Sequence, residues 1–166
     1  MDPNHKKTAL RMIPYGIYVL TAEADGQTAA ATVNWVTQTS FDPPLVAVAV
    51  KADSGARAAV EAAGSFALNI LGKGQQGTAF GFFKTVERDG DMLGKEKIRA
   101  GHSGHPVLES APACVECRVE EIVSRGDHHI VIAEVIHAHL PQAPEGRADD
   151  ATLHMRDLGD NVFYGG

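Results

Sequence analysis

A short polar corner joins two apolar runs, residues 32–36 (TVNWV) and residues 45–50 (LVAVAV). The first run is typical of a half-buried strand, and the second, which is rich in β-branched residues, predicts a strand that is buried on both faces. Between them, Pro43 and Pro44 have no backbone N–H and cannot continue a ladder of strand hydrogen bonds. We therefore predict that residues 37–40 face a break in pairing, with free amides and hydroxyls that suit the polar rim of a flat ligand.

The rest of the chain alternates between short apolar segments and turn signals. Helices are predicted over residues 5–12, over the segment that Ser54 caps and Gly64 ends, and over residues 75–83. Further strands are predicted over residues 15–21, 28–36, 66–71, 115–123 and 129–140. Residues 84–105 have weak periodicity and are predicted to form a long loop. Many short strands with few helices favour a mainly β, antiparallel barrel of six or seven strands with two or three helices.

The composition is that of an ordinary globular domain. With 166 residues, of which 44% are hydrophobic and 22% charged, the chain can bury a complete core as a single domain, 1–166. A net charge of -6 without a basic run argues against nucleic-acid binding. The pattern shows neither a membrane-spanning stretch nor a signal-peptide core, so we expect a cytoplasmic protein.

The tail of the sequence, residues 141–166, begins with a segment of linker-like composition, residues 141–150. The remainder, residues 151–166, carries too many aromatic side chains for a solvated segment. We expect it to dock on the barrel or on a partner subunit.

Two cysteines and two histidines have spacings that metal ligands also show. Cys114 and Cys117 lie three residues apart on a predicted strand, so their thiols point to opposite faces, and we expect Cys117 in the core. His137 and His139 share one strand face, but spacing assigns no third ligand. An exposed strand face is therefore favoured over a metal site, and no metal is predicted.

The best candidate for an anion site is the strand-to-helix segment with Lys51, Ser54 and Arg57. A helix N-terminus presents unpaired amides and a partial positive charge, and a cation one turn into the helix completes a cradle for phosphate. On local sequence alone, the favoured interpretation is that Ser54 only caps the helix and that Arg57 is solvated.

The order of motifs resembles that of the flavin reductase-like family, the FMN-binding split barrels, over residues 10–140. The resemblance rests on Thr32, Asn34, Ser40 and the Asp42-Pro43-Pro44 corner, followed by GSFALNIL at 64–71, Gln75 with Ala79 and Phe82, PVL at 106–108 and GDH at 126–128. The chain departs from the family at Ala30, where Gly is frequent, and at Trp35, where a small residue is frequent. A tryptophan at this place could stack on the flavin or shape its pocket.

The resemblance implies a split β-barrel, Greek-key-like, that forms a homodimer with the flavin at the subunit interface. It places the FMN phosphate on the segment with Lys51, Ser54 and Arg57, and the ribityl chain and ring along residues 32–40. His128 is implied to lie on the nicotinamide side of the flavin as a catalytic candidate, with a plain turn residue as the alternative. The cofactor-binding residues so predicted are Thr32, Val33, Asn34, Trp35, Val36, Thr37, Thr39, Ser40, Lys51, Ser54, Arg57 and Phe83.

Three functions follow from these expectations. The first, which the resemblance implies, is an oxidoreductase that reduces FMN, or alternatively FAD, with NADH or NADPH and passes reduced flavin to a partner such as a monooxygenase. The second is a flavoredoxin-like FMN protein that carries electrons and has no nicotinamide site. The third is a split barrel that binds haem or a metal through its histidines.

Overall fold

The computed structural model describes residues 1–166. It contains three α-helices: α1 (Pro3–Arg11), α2 (Gly55–Ala63) and α3 (Gln76–Gly81). Its strands are β1 (Tyr18–Ala24), β2 (Gln27–Val33), β3 (Val36–Ser40), β4 (Leu45–Lys51), β5 (Ser65–Ile70), β6 (Arg88–Asp89), β7 (Met92–Leu93), β8 (Glu96–Ala100), β9 (Pro106–Leu108), β10 (Ala113–Val123) and β11 (His128–His139). Two 3₁₀ helices, Ala148–Ala151 and Met155–Leu158, follow. None of the helices has the length and apolar character needed to cross a membrane.

Seven strands form the main sheet in the order β2-β1-β5-β10-β11-β4-β3, and every neighbouring pair is antiparallel. The larger core lies inside this sheet, where Leu20, Phe66 and Val131 pack against Val60 of α2. A second cluster, with Ile17, Leu71, Phe82, Leu93 and Leu153, fills the space toward the small sheet. The prediction of a mainly β, antiparallel barrel with flanking helices is confirmed.

A second sheet of four short strands, β6-β7-β8-β9, occupies most of the segment that the sequence predicts as a long loop. The prediction of a loop over residues 84–105 is therefore wrong. Strands β6 and β7 have only two residues each, and Gly90 and Gly94 turn the chain with φ of 59° at both positions. Strands of this length are too short to show the alternation on which the prediction depends.

The break in pairing falls at Asn34 and Trp35, not at residues 37–40. Strand β2 ends at Val33, and β3 pairs with β4 in the register Val36↔Val48. The predicted break in pairing at 37–40 is wrong because both prolines lie in the turn between β3 and β4, where their missing amides cost no strand pairing. Strand β3 is nevertheless an edge strand of the main sheet, so the amides on its outer side have no strand partner, as predicted.

Strand β4 is buried on one face only. Val48 and Val50 are buried in the core. Leu45, Ala47 and Ala49 point the other way and remain partly exposed. Within a single chain, the predicted burial is therefore found only for the inner face, and burial of the outer face stays a prediction.

Helix α2 has the predicted start and stop. Ser54 Oγ accepts a hydrogen bond from the backbone N–H of Arg57 at 3.1 Å, which satisfies one of the unpaired amides of the first turn. Gly64 follows the last turn with φ of 66°, a left-handed conformation that glycine adopts without a steric penalty. The predicted cap and stop signals are confirmed.

The long hairpin of β10 and β11 is also confirmed, and it places the two cysteines on different sides of the sheet. Cys117 belongs to the larger core, whereas Cys114 packs with Ala67 and Val107 in a separate small cluster. Both thiols are free. Burial raises the pKa of Cys114 and of Cys117 to about 12. These cysteines are structural.

Glu116 is a fully buried carboxylate on β10 that holds the loop before β9. It accepts hydrogen bonds from the backbone N–H groups of His102 and Ser103 at 2.6 and 2.5 Å, and it contacts His139 Nε2 at 2.5 Å. Burial alone raises the pKa of Glu116, but the hydrogen bonds from Ser103, His139 and the loop amides outweigh it and lower the pKa to about 2. A Cβ at Gly101 would lie 2.7 Å from Glu116 Oε1, so only glycine fits there.

We predict that Glu116→Gln lowers the free energy of unfolding by about 2–4 kcal/mol, because two loop amides and a histidine lose a charged acceptor in a buried site. The folded-state pKa of about 2 lies below the ordinary value of 4.5, so this contribution is present above pH 4.5 and is lost as the pH falls toward 2. Urea unfolding at several pH values measures it. Glu121→Gln, an exposed change on the same strand, is the control, and equal stability of the two variants would contradict the assignment.

Candidate functional site

A cavity of about 300 Å³ lies where β2 and β4 end, and residues from the last part of the chain close its far side. Small and apolar side chains such as Ala31, Val33 and Ala49 form its walls, and Phe82 and Phe83 border it. Its polar residues are Thr32, Asn34, Lys51, Ser54, His128 and Tyr164. A wider groove of about 810 Å³ shares Lys51, Ser54 and the two phenylalanines with it, so the two spaces are continuous at that end.

Thr32 fixes one wall of the cavity. Its hydroxyl donates to the carbonyl of Ala79 at 2.7 Å, and its backbone N–H donates to the carbonyl of Phe82 at 3.2 Å. These two bonds tie the end of α3 to β2. They thereby hold Phe82 and Phe83 beside the cavity.

The anion-binding end consists of Lys51, the last residue of β4, and the N-terminus of α2. The first amides of a helix have no acceptor within the helix, and they carry the positive end of its dipole. Lys51 Nζ lies 3.1 Å from Asp53 Oδ1. The hydrogen bond and the charge of Lys51 lower the pKa of Asp53. This end of the cavity therefore offers one ammonium group and a helix N-terminus to an anion.

Arg57 lies outside both cavities, although the sequence places it in the anion cradle. Its side chain is buried, with Nε donating to His129 Nδ1 at 3.2 Å and Nη1 donating to Glu61 at 3.1 Å. Arg57 is also not solvated, so the interpretation favoured on local sequence alone is wrong for this residue. Arg57 lies in the first turn of α2. Its side chain is held between this helix and β11 and does not face the cavity mouth.

Strand β3 stands apart from the cavity. Thr37 and Thr39 are exposed on this edge strand, and neither they nor Val36 and Ser40 line the cavity. The structure therefore does not bring these four residues to the cavity, and their contacts with a flavin stay a prediction. Trp35 lies just behind the lining, with its ring centroid 4.6 Å from that of His128.

The other end of the cavity is built around Asn34 and His128. Asn34 Nδ2 donates to the backbone carbonyl of Tyr164 at 3.0 Å. His128 Nδ1 lies 2.8 Å from Asp127 Oδ1, and its Nε2 lies 2.8 Å from the Tyr164 hydroxyl. The hydrogen bond from His128 lowers the pKa of Asp127. In the tautomer that donates Nδ1–H to Asp127, Nε2 accepts a hydrogen bond from the Tyr164 hydroxyl.

Sequence reasoning missed the share of the cavity that comes from the last part of the chain. Met155, Val162, Phe163 and Tyr164 all line it. The only signal was the aromatic content of the tail, which indicates docking but not the place. Of the predicted residues, the structure brings Thr32, Val33, Asn34, Lys51, Ser54, Phe83 and His128 together at this cavity.

Three histidines away from the cavity, His102, His137 and His139, do not form a metal centre. His102 stacks on His137 with ring centroids 4.9 Å apart, and stacked rings direct their nitrogen lone pairs in parallel rather than toward one point. His139 binds Glu116. No group of three or more His, Cys, Asp or Glu side chains is placed to hold a metal ion.

Comparisons with known proteins agree on one family. The family model described as "Flavin reductase like domain" matches residues 10–158. A probable flavin reductase of Rhizobium meliloti (strain 1021) is 33% identical over 81% of this chain, which spans only 42% of that relative's length. An NADH-dependent FMN reductase of Streptomyces nodosus subsp. asukaensis is 32% identical over 82% of this chain and 75% of the relative. The structure of the styrene monooxygenase flavin reductase from Pseudomonas putida S12 superposes with a TM-score of 0.71 at 31% identity, covering 84% of this chain and 88% of that one.

We predict that Lys51→Gln weakens the binding of FMN by about three- to tenfold, because it removes the ammonium group that would face the FMN phosphate at the helix N-terminus. Riboflavin, which has no phosphate, should bind both proteins equally. Quenching of flavin fluorescence measures both affinities.

Lys73→Gln is the matched control, since it removes the same charge from an exposed position that does not line the cavity. An equal loss of riboflavin binding in Lys51→Gln would show that Lys51 does not act on the phosphate.

Proposed function

Because this chain belongs to the flavin reductase-like family, we propose that it is an oxidoreductase that reduces FMN with a reduced nicotinamide. The family prediction made from the sequence is confirmed by the match over residues 10–158. The observation that carries the proposal is the cavity itself, which joins the anion-binding end at Lys51 and Ser54 to a slot that ends at Asn34 and His128.

The residues of the cavity fit a flavin mononucleotide. Lys51 and the N-terminus of α2 provide a place for one phosphate. The small side chains of Ala31 and Ala49 leave the walls flat enough for a planar ring system. Trp35 Nε1 is buried without a hydrogen-bond partner, which is the kind of orphaned donor that a carbonyl of a ligand would satisfy.

Bound flavin supplies the hydride-accepting ring, and the protein supplies position and polarity. Lys51 and Ser54 would hold the phosphate and so fix how far the ring reaches into the cavity. Asn34 would donate its amide N–H groups to the carbonyl edge of the ring, where reduction builds up negative charge. Phe82, Phe83 and Ile17 would exclude water from the ring, and His128, oriented by Asp127, would face the nicotinamide side.

We favour FMN over FAD and NADH over NADPH. A cradle with a single ammonium group, Lys51, suits a single phosphate. The relative from Streptomyces nodosus is named an NADH-dependent FMN reductase, which supports the same pair. The relative from Pseudomonas putida S12 is named a flavin reductase of styrene monooxygenase, which supports transfer of reduced flavin from this chain to a monooxygenase.

We also propose that two copies of the chain associate through the outer face of β4 and β11. Leu45, Ala47 and Ala49 on β4 share this face with Ile130 and Ile132 on β11, opposite the buried Val131 and Ala133. Ile130 is 41% exposed. Ala49 also lines the cavity, so an interface here would border the flavin.

The reductase proposal predicts that NADH bleaches the visible absorbance band of FMN bound to the purified protein under anaerobic conditions. Readmission of air should restore the band. NADPH serves as the comparison, and we expect it to bleach the band more slowly. A bound flavin band that neither nucleotide changes would contradict the proposal and favour the electron-transfer function.

The interface proposal predicts that Ile130→Glu converts a dimer into a monomer, because it places a charge in an apolar contact. Sedimentation velocity measures the mass of both proteins. Gln142→Glu, which adds the same charge at an exposed position away from this face, is the control. A wild-type protein that sediments as a monomer at micromolar concentration would contradict the proposal.

A further inference from the structure

The last residues of the chain lie across the cavity. We call residues 160–166 the closing segment. It starts after Gly159, whose φ of 135° turns the chain away from the preceding 3₁₀ helix. From there Val162, Phe163 and Tyr164 reach both the cavity and a neighbouring space of about 350 Å³ beside α1.

The closing segment uses the polar groups at the ring end of the cavity. Asn34 Nδ2 donates to the Tyr164 carbonyl, and the Tyr164 hydroxyl donates to His128 Nε2. The Tyr164 ring also packs on Trp35, with centroids 5.7 Å apart. While they hold Tyr164, the imidazole Nε2 and one of the two amide N–H groups of Asn34 are not free to bind a ligand ring.

A second anchor of the closing segment lies outside the cavity, on α1. Arg11 Nε donates to the Gly165 carbonyl at 3.3 Å, and the Arg11 guanidinium carbon lies 4.1 Å from the centre of the Phe163 ring. Arg11 does not line the flavin cavity. Gly166 packs so tightly on α1 that a Cβ there would lie 2.8 Å from the Lys7 carbonyl oxygen.

Much of the closing segment is open to solvent. Phe163 and Tyr164 remain 50% and 48% exposed, and Gly165 and Gly166 within the segment, with Gly159 just before it, gain conformational entropy when the segment is released. Trp35 Nε1 stays buried and unsatisfied beneath it. An orphaned donor costs free energy, and a ligand that offers a carbonyl to this N–H would recover it.

We propose that the closing segment is an autoinhibitory element that competes with the flavin ring for the cavity. This inference rests on the proposed function of the site. The segment does not occupy the anion-binding end at Lys51 and Ser54, so FMN can dock its phosphate first and then displace Tyr164 from Asn34 and His128. The affinity of the protein for flavin is reduced by the fraction of molecules in which the segment is closed.

Deletion of residues 162–166 tests the proposal. If about 90% of the molecules are closed, the deletion lowers the Kd of FMN by about tenfold, and the Kd of riboflavin falls by the same factor because the competition concerns the ring. Flavin fluorescence quenching measures both constants. A higher Kd, or an unchanged one, overturns the proposal, because the segment would then be a wall of the binding site or irrelevant to it.

Arg11→Ala is a second test that does not depend on the folding of the shortened protein. It keeps the full chain and every residue of the cavity. We expect it to lower the Kd of both flavins by about threefold, through the lost anchor on Phe163 and Gly165. Lys6→Ala, an exposed change on the same helix, is the matched control and should leave both constants unchanged. A peptide with the sequence of residues 160–166 should compete with riboflavin for the shortened protein.

The outcomes separate this inference from the proposed function. Tighter flavin binding by the shortened protein, without bleaching by NADH, would support the closing segment and contradict the reductase activity. Bleaching by NADH with identical flavin affinities in all variants would support the activity and overturn the closing segment. Absence of flavin binding in every variant would overturn both.

Discussion

The two-residue connection between β2 and β3 is the constraint on which the rest of the structure depends. These strands are consecutive in the chain but lie at opposite edges of the seven-stranded sheet. The three Cα–Cα steps from Val33 to Val36 reach at most about 11 Å, whereas the edges of a flat seven-stranded sheet would be about 29 Å apart. The sheet must therefore curl until its edges meet. Asn34 and Trp35 form the seam, and the backbone N–H of Ala49 donates to the Trp35 carbonyl at 2.9 Å to hold it against β4.

The functional cavity lies at this seam, which explains the mixed origin of its residues. One end comes from local structure, because Lys51 and Ser54 stand at a single strand-to-helix junction. The other end comes from segments far apart in the chain, with Asn34 at the seam, His128 at a hairpin turn and Tyr164 near the last residue. The end proposed for the phosphate is therefore built from local contacts, whereas the end proposed for the ring depends on long-range contacts.

The difference between local and long-range contacts also explains how much could be predicted from the sequence. Ser54 as a cap, Gly64 as a stop and the hairpin of β10 and β11 are local signals, and the structure contains them. Arg57 was misplaced because sequence gives its spacing on the helix but not its partners, Glu61 and His129, across the packed face. The small sheet was missed because its strands are too short to show a period. The place of Tyr164 depends on contacts with Asn34 and His128, 130 and 36 residues away, and no local pattern encodes those contacts.

The buried cysteines have a practical and chemical consequence. With a pKa of about 12, each thiol is present as thiolate in only about one molecule in 10⁵ at neutral pH, and the thiolate is the reactive form. Both thiols are free and lie in different clusters, so this chain has no disulfide to which a reduced flavin could pass its electrons. Because both natural cysteines are buried, a single cysteine introduced at an exposed position should react with a maleimide label well before they do.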